Sequence, residues 1–273
     1  MPADTAGPAD RHRLVCRRAA VRPPLDGLLA GAPWDTATRS PTFVDMETGA
    51  PGFYDTQVAV LYDDHALYAG FWIEEPHPAA VLTERDSLIF AENDVEIFVD
   101  GGDAYYELEI NALNTVYEVL FVWRDTYIAG GRFDVPELDL RAAGASTFGG
   151  NFDRDTATFW TGTHPRGQRF AFRDWDLPGL RTAVTVQGAL NDPSVRSEGW
   201  RVEVEIPWTG LALVAGDRPC PPEPGDEWRM FFGRFQQLAV GTTPINPAWC
   251  LTPHGEYDTH RPERFTTVVF SES

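Results

Sequence analysis

Short stretches in which apolar and polar residues alternate dominate the sequence, and turn-forming Gly, Pro, Asn and Asp residues separate them. A period of two is typical of half-buried β-strands, whereas segments with a helical period are scarce. The alternation predicts about nine or ten strands, among them 56–62, 66–73, 94–100, 105–112, 115–123, 182–190, 200–206, 228–236 and 266–270. Short strands without intervening helices indicate a two-sheet sandwich or a barrel.

Turn residues join several of these strands into hairpins. Asp63, Asp64 and His65 separate the first two strands, and a Gly-Gly-Asp turn at 101–103 separates the next two. A polar loop at 191–199 joins a third pair.

Two stretches fit the strand pattern poorly. Residues 129–178 are rich in Gly, Asp, Arg and Phe, and residues 241–264 contain four prolines and several polar aromatic residues. Loops of this length within a compact domain are usually functional or mobile. We therefore expect them to form the walls of a site.

The second predicted hairpin places several carboxylates on one surface. Because successive side chains of a strand point to opposite faces, Glu96 on one strand shares a polar face with Glu107, Glu109 and Asn111 on the next. Crowded carboxylates on adjacent strands repel one another unless an arginine, a metal or a hydroxyl-rich ligand compensates. The alternative is an ordinary solvated face of an antiparallel sheet.

Arg124 and Arg234 are the arginines that we expect to compensate this charge. A surface of carboxylates and amides with aromatic residues at its edge suits a sugar, because hydroxyl groups need acceptors and the C–H face packs on a ring. Elsewhere, the same alternation places Glu203 and Glu205 beside Arg201 on an outer face, where we expect solvent.

The chain has 273 residues, of which 41 are acidic and 22 basic, so its formal net charge is −19. All the basic residues are arginine. This charge argues against binding to nucleic acid or to an anionic membrane surface, since both need clustered cations. With 43% hydrophobic and 12% aromatic residues, the composition is that of a folded protein. We expect a single domain; the oligomeric state is left open.

The three cysteines, Cys16, Cys220 and Cys250, are an odd number at spacings that match no zinc pattern. The first 25 residues contain no apolar stretch followed by a cleavage site, so we expect a cytoplasmic protein, or a secreted one if a leader has been removed. No apolar run approaches the roughly 18 residues that span a bilayer.

Seven motifs follow one another along nearly the whole chain. They are RPPLDG at 22–27 with Trp34, VAVLYDDHALYAGFW at 58–72, NDVEIFVD at 93–100, YYELEINA at 105–112, GWRVEVEIPW at 199–208, GDEWRMFFGRF at 225–235 and HRPERF at 260–265. In order and spacing they resemble the family 9 carbohydrate-binding modules and their relatives in the DOMON-like superfamily. The resemblance implies an all-β, two-sheet antiparallel β-sandwich of the jelly-roll or DOMON-like kind with long loops. It also implies reversible glycan binding and, often, calcium at structural sites.

The resemblance divides the chain into an N-terminal extension, 1–20, and one sandwich domain, 21–273. It places the family's sugar-binding glutamate at Glu96 and a stacking aromatic residue at Phe90. Glu109 stands where the family has an arginine, and Tyr257 or Trp249 would replace a second stacking tryptophan. The complete predicted ligand-binding set is Glu96, Phe90, Glu107, Glu109, Asn111, Trp72, Arg124, Arg234, Trp249, Tyr257 and His260.

We predict that the chain binds a carbohydrate or a sugar-like small molecule without catalysis and requires no cofactor. Calcium is possible at the hairpin turns, where Asp63, Asp64, Asp100 and Asp103 offer carboxylate oxygens. The alternative is an intracellular enzyme, either glycoside-active or converting another small molecule, that uses the carboxylates of the same pocket. Carboxyl groups about 5–5.5 Å or about 6.5–9.5 Å apart would suit retaining or inverting glycoside cleavage, respectively.

Overall fold

The structure is a computed structural model that describes residues 11–149 and 164–272. In the first half of the chain the strands are β1 (Arg13–Arg18), β2 (Val44–Asp45), β3 (Thr56–Tyr62), β4 (Ala66–Glu74), β5 (Asp94–Asp100), β6 (Ala104–Asn111) and β7 (Val116–Trp123). The second half contains β8 (Ala145–Phe148), β9 (Arg169–Phe172), β10 (Arg181–Gln187), β11 (Gly199–Pro207), β12 (Glu227–Phe235), β13 (Leu238–Val240), β14 (Thr243–Ile245), β15 (Ala248–Cys250) and β16 (Thr266–Ser271). An eight-residue helix, α1 (Trp208–Ala215), follows β11, and 3-10 turns span Ile89–Ala91, Pro136–Leu138 and Pro262–Arg264.

Most strands belong to one hydrogen-bonded sheet that folds over into two facing layers. The first layer has the strand order β10-β11-β4-β3-β1-β16, and the second has β12-β5-β6-β7-β9-β8. Strand β12 connects the layers, because its first half pairs with β16 and its second half with β15, which in turn pairs with β2. Strands β13 and β14 form a separate hairpin. The expected all-β sandwich is therefore confirmed.

The core lies between the layers and follows the predicted alternation. Val58 of β3, Phe71 of β4 and Val202 of β11 face Ile97 of β5 and Leu108 of β6, and all are fully or almost fully buried. The three predicted hairpins form with antiparallel register, β3 with β4, β5 with β6, and β10 with β11. Their apolar faces are what holds the layers together, because burial of apolar area is the dominant favourable contribution to folding.

The N-terminus differs from the predicted extension over residues 1–20. Strand β1 lies within the first layer and pairs in parallel with both β16 and β3, so residues 13–18 are part of the sandwich. These are parallel pairs in a sheet that we expected to be antiparallel. Residues 1–10 lie outside the described residues.

Several short elements were not predicted. Strands β2, β8, β9, β14 and β15 have between two and four residues, which is too short for alternation to be recognised. Helix α1 was also missed, because its sequence WTGLALVA is apolar nearly throughout and shows no helical stripe. No helix among the described residues has the length and apolar character needed to cross a membrane.

Both layers are covered on their outer faces. On the first layer, Tyr68 packs with Leu29, Trp34 and Leu61 in a separate apolar cluster. On the second layer, a larger cluster covers the strands and contains Met46, Ile89, Phe98, Tyr105, Tyr117, Val119, Phe121, Trp123, Ala171, Phe231, Ala248, Cys250 and Phe265. Strands β5, β6 and β7 are consequently buried on both faces.

This covering changes the expected role of Glu203 and Glu205. We predicted a solvated position for both, but Glu203 is 0% and Glu205 3% exposed. Glu203 accepts four hydrogen bonds, from the backbone N–H groups of Leu25, Asp26 and Gly27 and from the Trp34 indole, at 2.9–3.1 Å. Glu205 pairs with Arg22 and Arg181. Chain segments distant in sequence thus replace the expected solvent.

Candidate functional site

A pocket of about 680 Å³ opens on the outer face of the second layer. Strands β5, β6 and β7 form its floor, and residues 90–92, 235–237 and 257–260 form its rim. Its lining consists of Phe90, Ala91, Glu92, Glu96, Glu107, Glu109, Tyr117, Phe121, Phe148, Phe235, Gln236, Gln237, Asn246, Tyr257, Asp258, Thr259 and His260. Phe148 comes from the stretch 129–178 and five further lining residues come from 241–264, the stretches expected to supply the walls. Residues 150–163 lie outside the described residues.

The floor of the pocket carries the carboxylates predicted to share a face. Glu96 lies directly opposite Glu109 in the pairing of β5 with β6, and Glu107 lies two residues before Glu109. The three side chains are 3%, 1% and 5% exposed in that order. Asp94, at 0% exposure, adds a fourth carboxylate from the same face of β5. Asp94 was missed as a site residue although the same alternation placed it beside Glu96.

Three of these carboxylates, Asp94, Glu96 and Glu109, form what we call the carboxylate trio. Their ligand oxygens all lie within 4.8 Å of one another. In the described part of the chain, no hydrogen bond reaches Oδ2 of Asp94 or Oε2 of either Glu96 or Glu109. Burial, followed by repulsion from neighbouring carboxylates, raises the pKa of Glu96 and of Glu109 well above the ordinary value. Buried polar atoms are rarely left without partners, so the trio needs an explanation.

Glu107 differs from the trio because it has favourable neighbours. Burial raises its pKa to about 7, while a hydrogen bond with Glu109 and the charge of Arg169 lower it. The same hydrogen bond further raises the pKa of Glu109. Two carboxyl groups can form a hydrogen bond only when one of them is protonated, so this pair holds a proton.

Arg169 of β9 is a buried arginine close to Glu107, and sequence reasoning missed it. Its Nη1 donates to the backbone oxygen of His260 at 3.1 Å, and its guanidinium lies 4.9 Å from the ring centre of Trp123. The charge of Arg169 acts on Glu107 rather than on the trio's unpartnered oxygens. The alternation in Arg-Phe-Ala-Phe at 169–172 was the available signal, hidden within a stretch that we interpreted as a loop.

Aromatic side chains form the walls above the carboxylates. Phe90 meets Tyr117 edge to face with ring centres 5.7 Å apart, and Phe235 meets Tyr257 in the same way at 5.8 Å. Phe90 remains 43% exposed. The Tyr257 hydroxyl donates to the backbone oxygen of Asn246 at 2.9 Å, which fixes its ring over the pocket. The pocket thus combines apolar walls with an acidic floor.

The structure places the predicted Phe90, Tyr257 and His260 in the pocket lining. Burial, together with the nearby charge of Arg169, lowers the pKa of His260 well below its usual value, so its ring is neutral. Its Nδ1 lies 3.0 Å from the Tyr105 hydroxyl.

Asn111 reaches the pocket only through another residue. Its Nδ2 donates to Oε1 of Glu92 at 2.6 Å and to the backbone oxygen of Leu82 at 2.9 Å. Its Oδ1 accepts from the backbone N–H groups of Leu113 and Thr115 in the turn before β7. Asn111 therefore orients Glu92, which does line the pocket.

Arg234 and Trp249 do not belong to the pocket, contrary to the prediction. Arg234 lies opposite Val95 and Trp249 opposite Arg234, and Val95 points into the core between the layers. Arg234 is fully buried there, 3.4 Å from Glu75 and 2.5 Å from Gln236. The alternation along β12 excluded it from the face of Glu96, because Gly233 is the residue opposite Glu96.

Trp72 and Arg124 are also placed elsewhere. Trp72 lies on the outer face of the first layer, where its ring contacts Trp34 edge to face and stacks under Arg39 at 3.9 Å. Arg124 follows β7 and binds Gln168 in an exposed position. Neither residue lines the pocket on the second layer.

The aspartates predicted as calcium ligands have other partners. Asp63 accepts hydrogen bonds from the backbone of His65 and Ala66 and from the hydroxyl of Tyr68. The other three pair with arginines, Asp64 with Arg18, Asp100 with Arg229 and Asp103 with Arg132. In the part of the chain that the structure describes, the trio is instead the group that could hold a metal ion.

The fold and the site together define a class of protein: two-layer β-sandwiches with an aromatic-walled pocket on the outer face of one layer. Two structures of a family 9 carbohydrate-binding module from Caldicellulosiruptor kristjanssonii, in complex with cellotriose and with glucose, share this fold. Both are 13% identical to this chain, and each alignment covers 96% of it. The cellotriose complex has a TM-score of 0.53 with 94% of its own chain covered, and the glucose complex has a TM-score of 0.52 with 96% covered. A candidate carbohydrate-binding protein from Bacteroides uniformis matches at a TM-score of 0.56 with 14% identity, over 95% of this chain and 99% of its own.

No protein-family model and no curated protein matches the sequence. The structural likeness confirms the fold expected from the resemblance to family 9 carbohydrate-binding modules.

Proposed function

We propose that the protein binds a carbohydrate, without catalysis, in the pocket on the second layer. The observation that carries the proposal is the combination of aromatic walls with a floor of carboxylate oxygens that accept no hydrogen bond from the described residues. A sugar offers hydroxyl donors to such oxygens and an apolar C–H face to such rings.

The size of the pocket supports a small ligand. At about 680 Å³ the cavity lies within the usual range for small-molecule sites, about 300–1,000 Å³. A ligand with an anionic group would meet repulsion from any carboxyl of the floor that is ionised, so a neutral or cationic sugar is preferred. The complexes of the structural neighbours with cellotriose and glucose support the same class of ligand.

Calorimetric titration of the full chain with a panel of neutral mono- and oligosaccharides, including glucose and cellotriose, tests the proposal. Runs with and without calcium cover both conditions. We expect binding that Tyr257→Ala weakens about tenfold, through loss of ring contact. Phe53→Ala is the matched control, because Phe53 is an exposed aromatic residue outside the pocket. No binding across the panel, or equal losses in both variants, would contradict the proposal.

One observation favours glycoside cleavage as a second candidate. The nearest oxygens of Glu96 and Glu109 lie within 4.8 Å, which is closer to the about 5–5.5 Å between carboxyl groups of retaining glycosidases than to the about 6.5–9.5 Å of inverting ones. Glu107 and Glu109 also share a hydrogen bond in which one carboxyl is the donor.

Glu96→Gln separates the two candidates. For a binding protein, wild type releases no reducing ends from bound oligosaccharide, and the variant loses affinity. For an enzyme, wild type cleaves the oligosaccharide, and the variant retains affinity while turnover disappears. Reducing-end assays and calorimetry on the same samples give both readouts.

A further inference from the structure

We infer that Asp94, Glu96 and Glu109 bind a divalent cation of the size of Ca²⁺ at the floor of the pocket. The inference adds an ion to the proposed carbohydrate site and rests on that pocket being the ligand site. It differs from the hairpin positions predicted from sequence, whose aspartates bind turn amides or arginines.

Geometry and hydrogen bonding point to the same three residues. Asp94 Oδ2, Glu96 Oε2 and Glu109 Oε2 are buried and accept no hydrogen bond from the described residues. The three side chains are at most 3% exposed and each offers an oxygen within 4.8 Å of the others. Their strands fix these positions, because Glu96 and Glu109 form a direct cross-strand pair and Asp94 precedes Glu96 on the same face.

Among the described residues, no arginine forms an ion pair with the trio. Arg169 lowers the pKa of Glu107, a neighbour of the trio. Arg234 acts on Asp94 only through its charge, because its side chain extends from the opposite face of β12 into the core. Three carboxylates that converge in a desolvated place repel one another strongly when ionised. A bound divalent cation would remove that repulsion and occupy the unpartnered oxygens.

The chemistry of the ligand atoms favours one kind of ion. All three donors are carboxylate oxygens, which favour hard cations such as Ca²⁺, Mg²⁺ and Mn²⁺ over metals that prefer imidazole or thiolate. Oxygens that all lie within 4.8 Å of one another can converge on a single ion. Ca²⁺ accepts oxygen ligands in flexible geometry, whereas Mg²⁺ demands near-ideal octahedral geometry and usually keeps several waters, so three carboxylates fixed on two strands favour Ca²⁺.

The ion would face the cavity. Glu96 and Glu109 line the pocket, and Ca²⁺ takes about 6–8 oxygen ligands, more than three carboxylates hold in monodentate fashion. Its remaining coordination positions are open to water or to hydroxyl groups of a sugar. Such an ion would link the acidic floor to a neutral ligand.

Calorimetric titration with CaCl₂ of the full chain, stripped with EDTA and free of sugar, tests the inference. We expect one Ca²⁺ per chain and at least a tenfold loss of affinity in Glu109→Gln and in Asp94→Asn. Asp103→Asn is the matched control, since Asp103 lies at an acidic hairpin turn and pairs with Arg132. The amide variants keep the side-chain shape and need no proton to be buried, so they should fold; circular dichroism verifies this.

Terbium luminescence supplies a second readout. Tyr117 lies directly opposite Glu109 in the pairing of β6 with β7, so excitation of this ring should sensitise Tb³⁺ bound at the trio. We expect the signal in wild type and in Asp103→Asn, its loss in Glu109→Gln, and displacement by Ca²⁺.

Three results would overturn the inference: no Ca²⁺ binding, binding that survives both trio variants, or binding lost in Asp103→Asn. Tight binding of Mg²⁺ in place of Ca²⁺ would overturn the assignment of ion size. Because no sugar is present, these failures are distinct from failure of the carbohydrate proposal. Sugar binding that persists in EDTA while Ca²⁺ does not bind would retain the proposed function and remove the ion.

Discussion

Strands β6 and β11 carry the same pattern: two glutamates, separated in sequence by one apolar residue, point to the outer face of their layer. The surroundings of the two pairs of glutamates differ. On β11, Glu203 accepts four hydrogen bonds and Glu205 pairs with two arginines. On β6, one oxygen of Glu109 has no hydrogen-bond partner among the described residues. The carboxyl groups of Glu109 and Glu107 form a hydrogen bond with each other. All four side chains are buried.

The difference shows how a buried carboxylate can serve structure or ligand binding. Where the chain supplies donors, the carboxylate fixes a segment, as Glu203 fixes residues 25–27. Gly27 makes that contact possible, because its φ of +72° suits glycine and a Cβ would come within 2.9 Å of Thr185 Oγ1. Where the described residues supply no donor, as at Oε2 of Glu109, the acceptor remains available to a bound molecule, which is the basis for proposing the site over β6.

The largest effect on the free energy of unfolding is expected from substituting Glu203, which accepts four hydrogen bonds. Glu203→Gln keeps one acceptor oxygen, so at least two of four buried donors lose their partner. At about 2 kcal/mol for each, the free energy of unfolding should fall by about 4 kcal/mol. Urea denaturation at neutral pH measures it. A loss below about 1 kcal/mol would mean that Glu203 does not hold the N-terminal segment.

A second prediction concerns His254, which is buried beside the second layer but outside the pocket lining. Burial lowers its pKa from 6.5 to about 4, with Arg264 lowering it and Glu256 and Glu263 raising it. Between pH 6.5 and about 4, the histidine is protonated in the unfolded chain but not in the folded protein. Its contribution to the free energy of unfolding is therefore complete above pH 6.5 and is lost as the pH falls to about 4. The loss amounts to about 3 kcal/mol.

Urea denaturation of wild type and His254→Asn at several pH values isolates this contribution. Asparagine can still donate to the backbone oxygen of Asp258, the partner of His254 Nδ1 at 2.7 Å. The difference between the two proteins should change by about 3 kcal/mol over this interval, while sugar affinity stays the same. A difference independent of pH would contradict the assignment.

A change of opposite sign in the free energy of unfolding is expected at Glu109, where one oxygen accepts no hydrogen bond from the described residues. At pH 7.5 in EDTA, Glu109→Gln should raise the free energy of unfolding by about 1–2 kcal/mol, because an amide needs no proton to be buried and still donates to Glu107. Saturating Ca²⁺ should reverse the order of the two proteins. If Glu109→Gln destabilises as Glu203→Gln does, the two strands do not differ in the way described.

The smallest effect is expected at an exposed ion pair. Asp103 is half exposed and lies 3.2 Å from Arg132. Asp103→Asn should change the free energy of unfolding by less than about 0.5 kcal/mol, since solvent screens such pairs. A larger loss would show that acidic residues matter to stability irrespective of burial.

Alternation and turn chemistry carried the fold prediction. They located the three hairpins and placed Glu96, Glu107 and Glu109 on one face, because the direction of a strand side chain depends only on local geometry. The same rule, applied along β12, would have removed Arg234 from the predicted site. Trp72 and Trp249 were misplaced because an aromatic residue on a strand carries no local sign of which layer it covers.

The partners of the buried charges could not be predicted in the same way. Arg169 lies on a four-residue strand, and its carbonyl partner at His260 is 91 residues away. The N–H of Gly27 reaches Glu203 across 176 residues. Such contacts depend on how two layers and their loops are assembled, which no local pattern encodes.

The sequence by itself determined the strands, their phase and the set of carboxylates on one face, because these follow from short-range backbone geometry and burial of apolar residues. The tertiary structure decided which buried carboxylate oxygens accept hydrogen bonds from residues in 11–149 and 164–272 and which do not. Desolvation makes that distinction large, since a buried acceptor without a partner costs free energy that an exposed one does not. The candidate site over Asp94, Glu96 and Glu109 is therefore a property of the assembled sandwich.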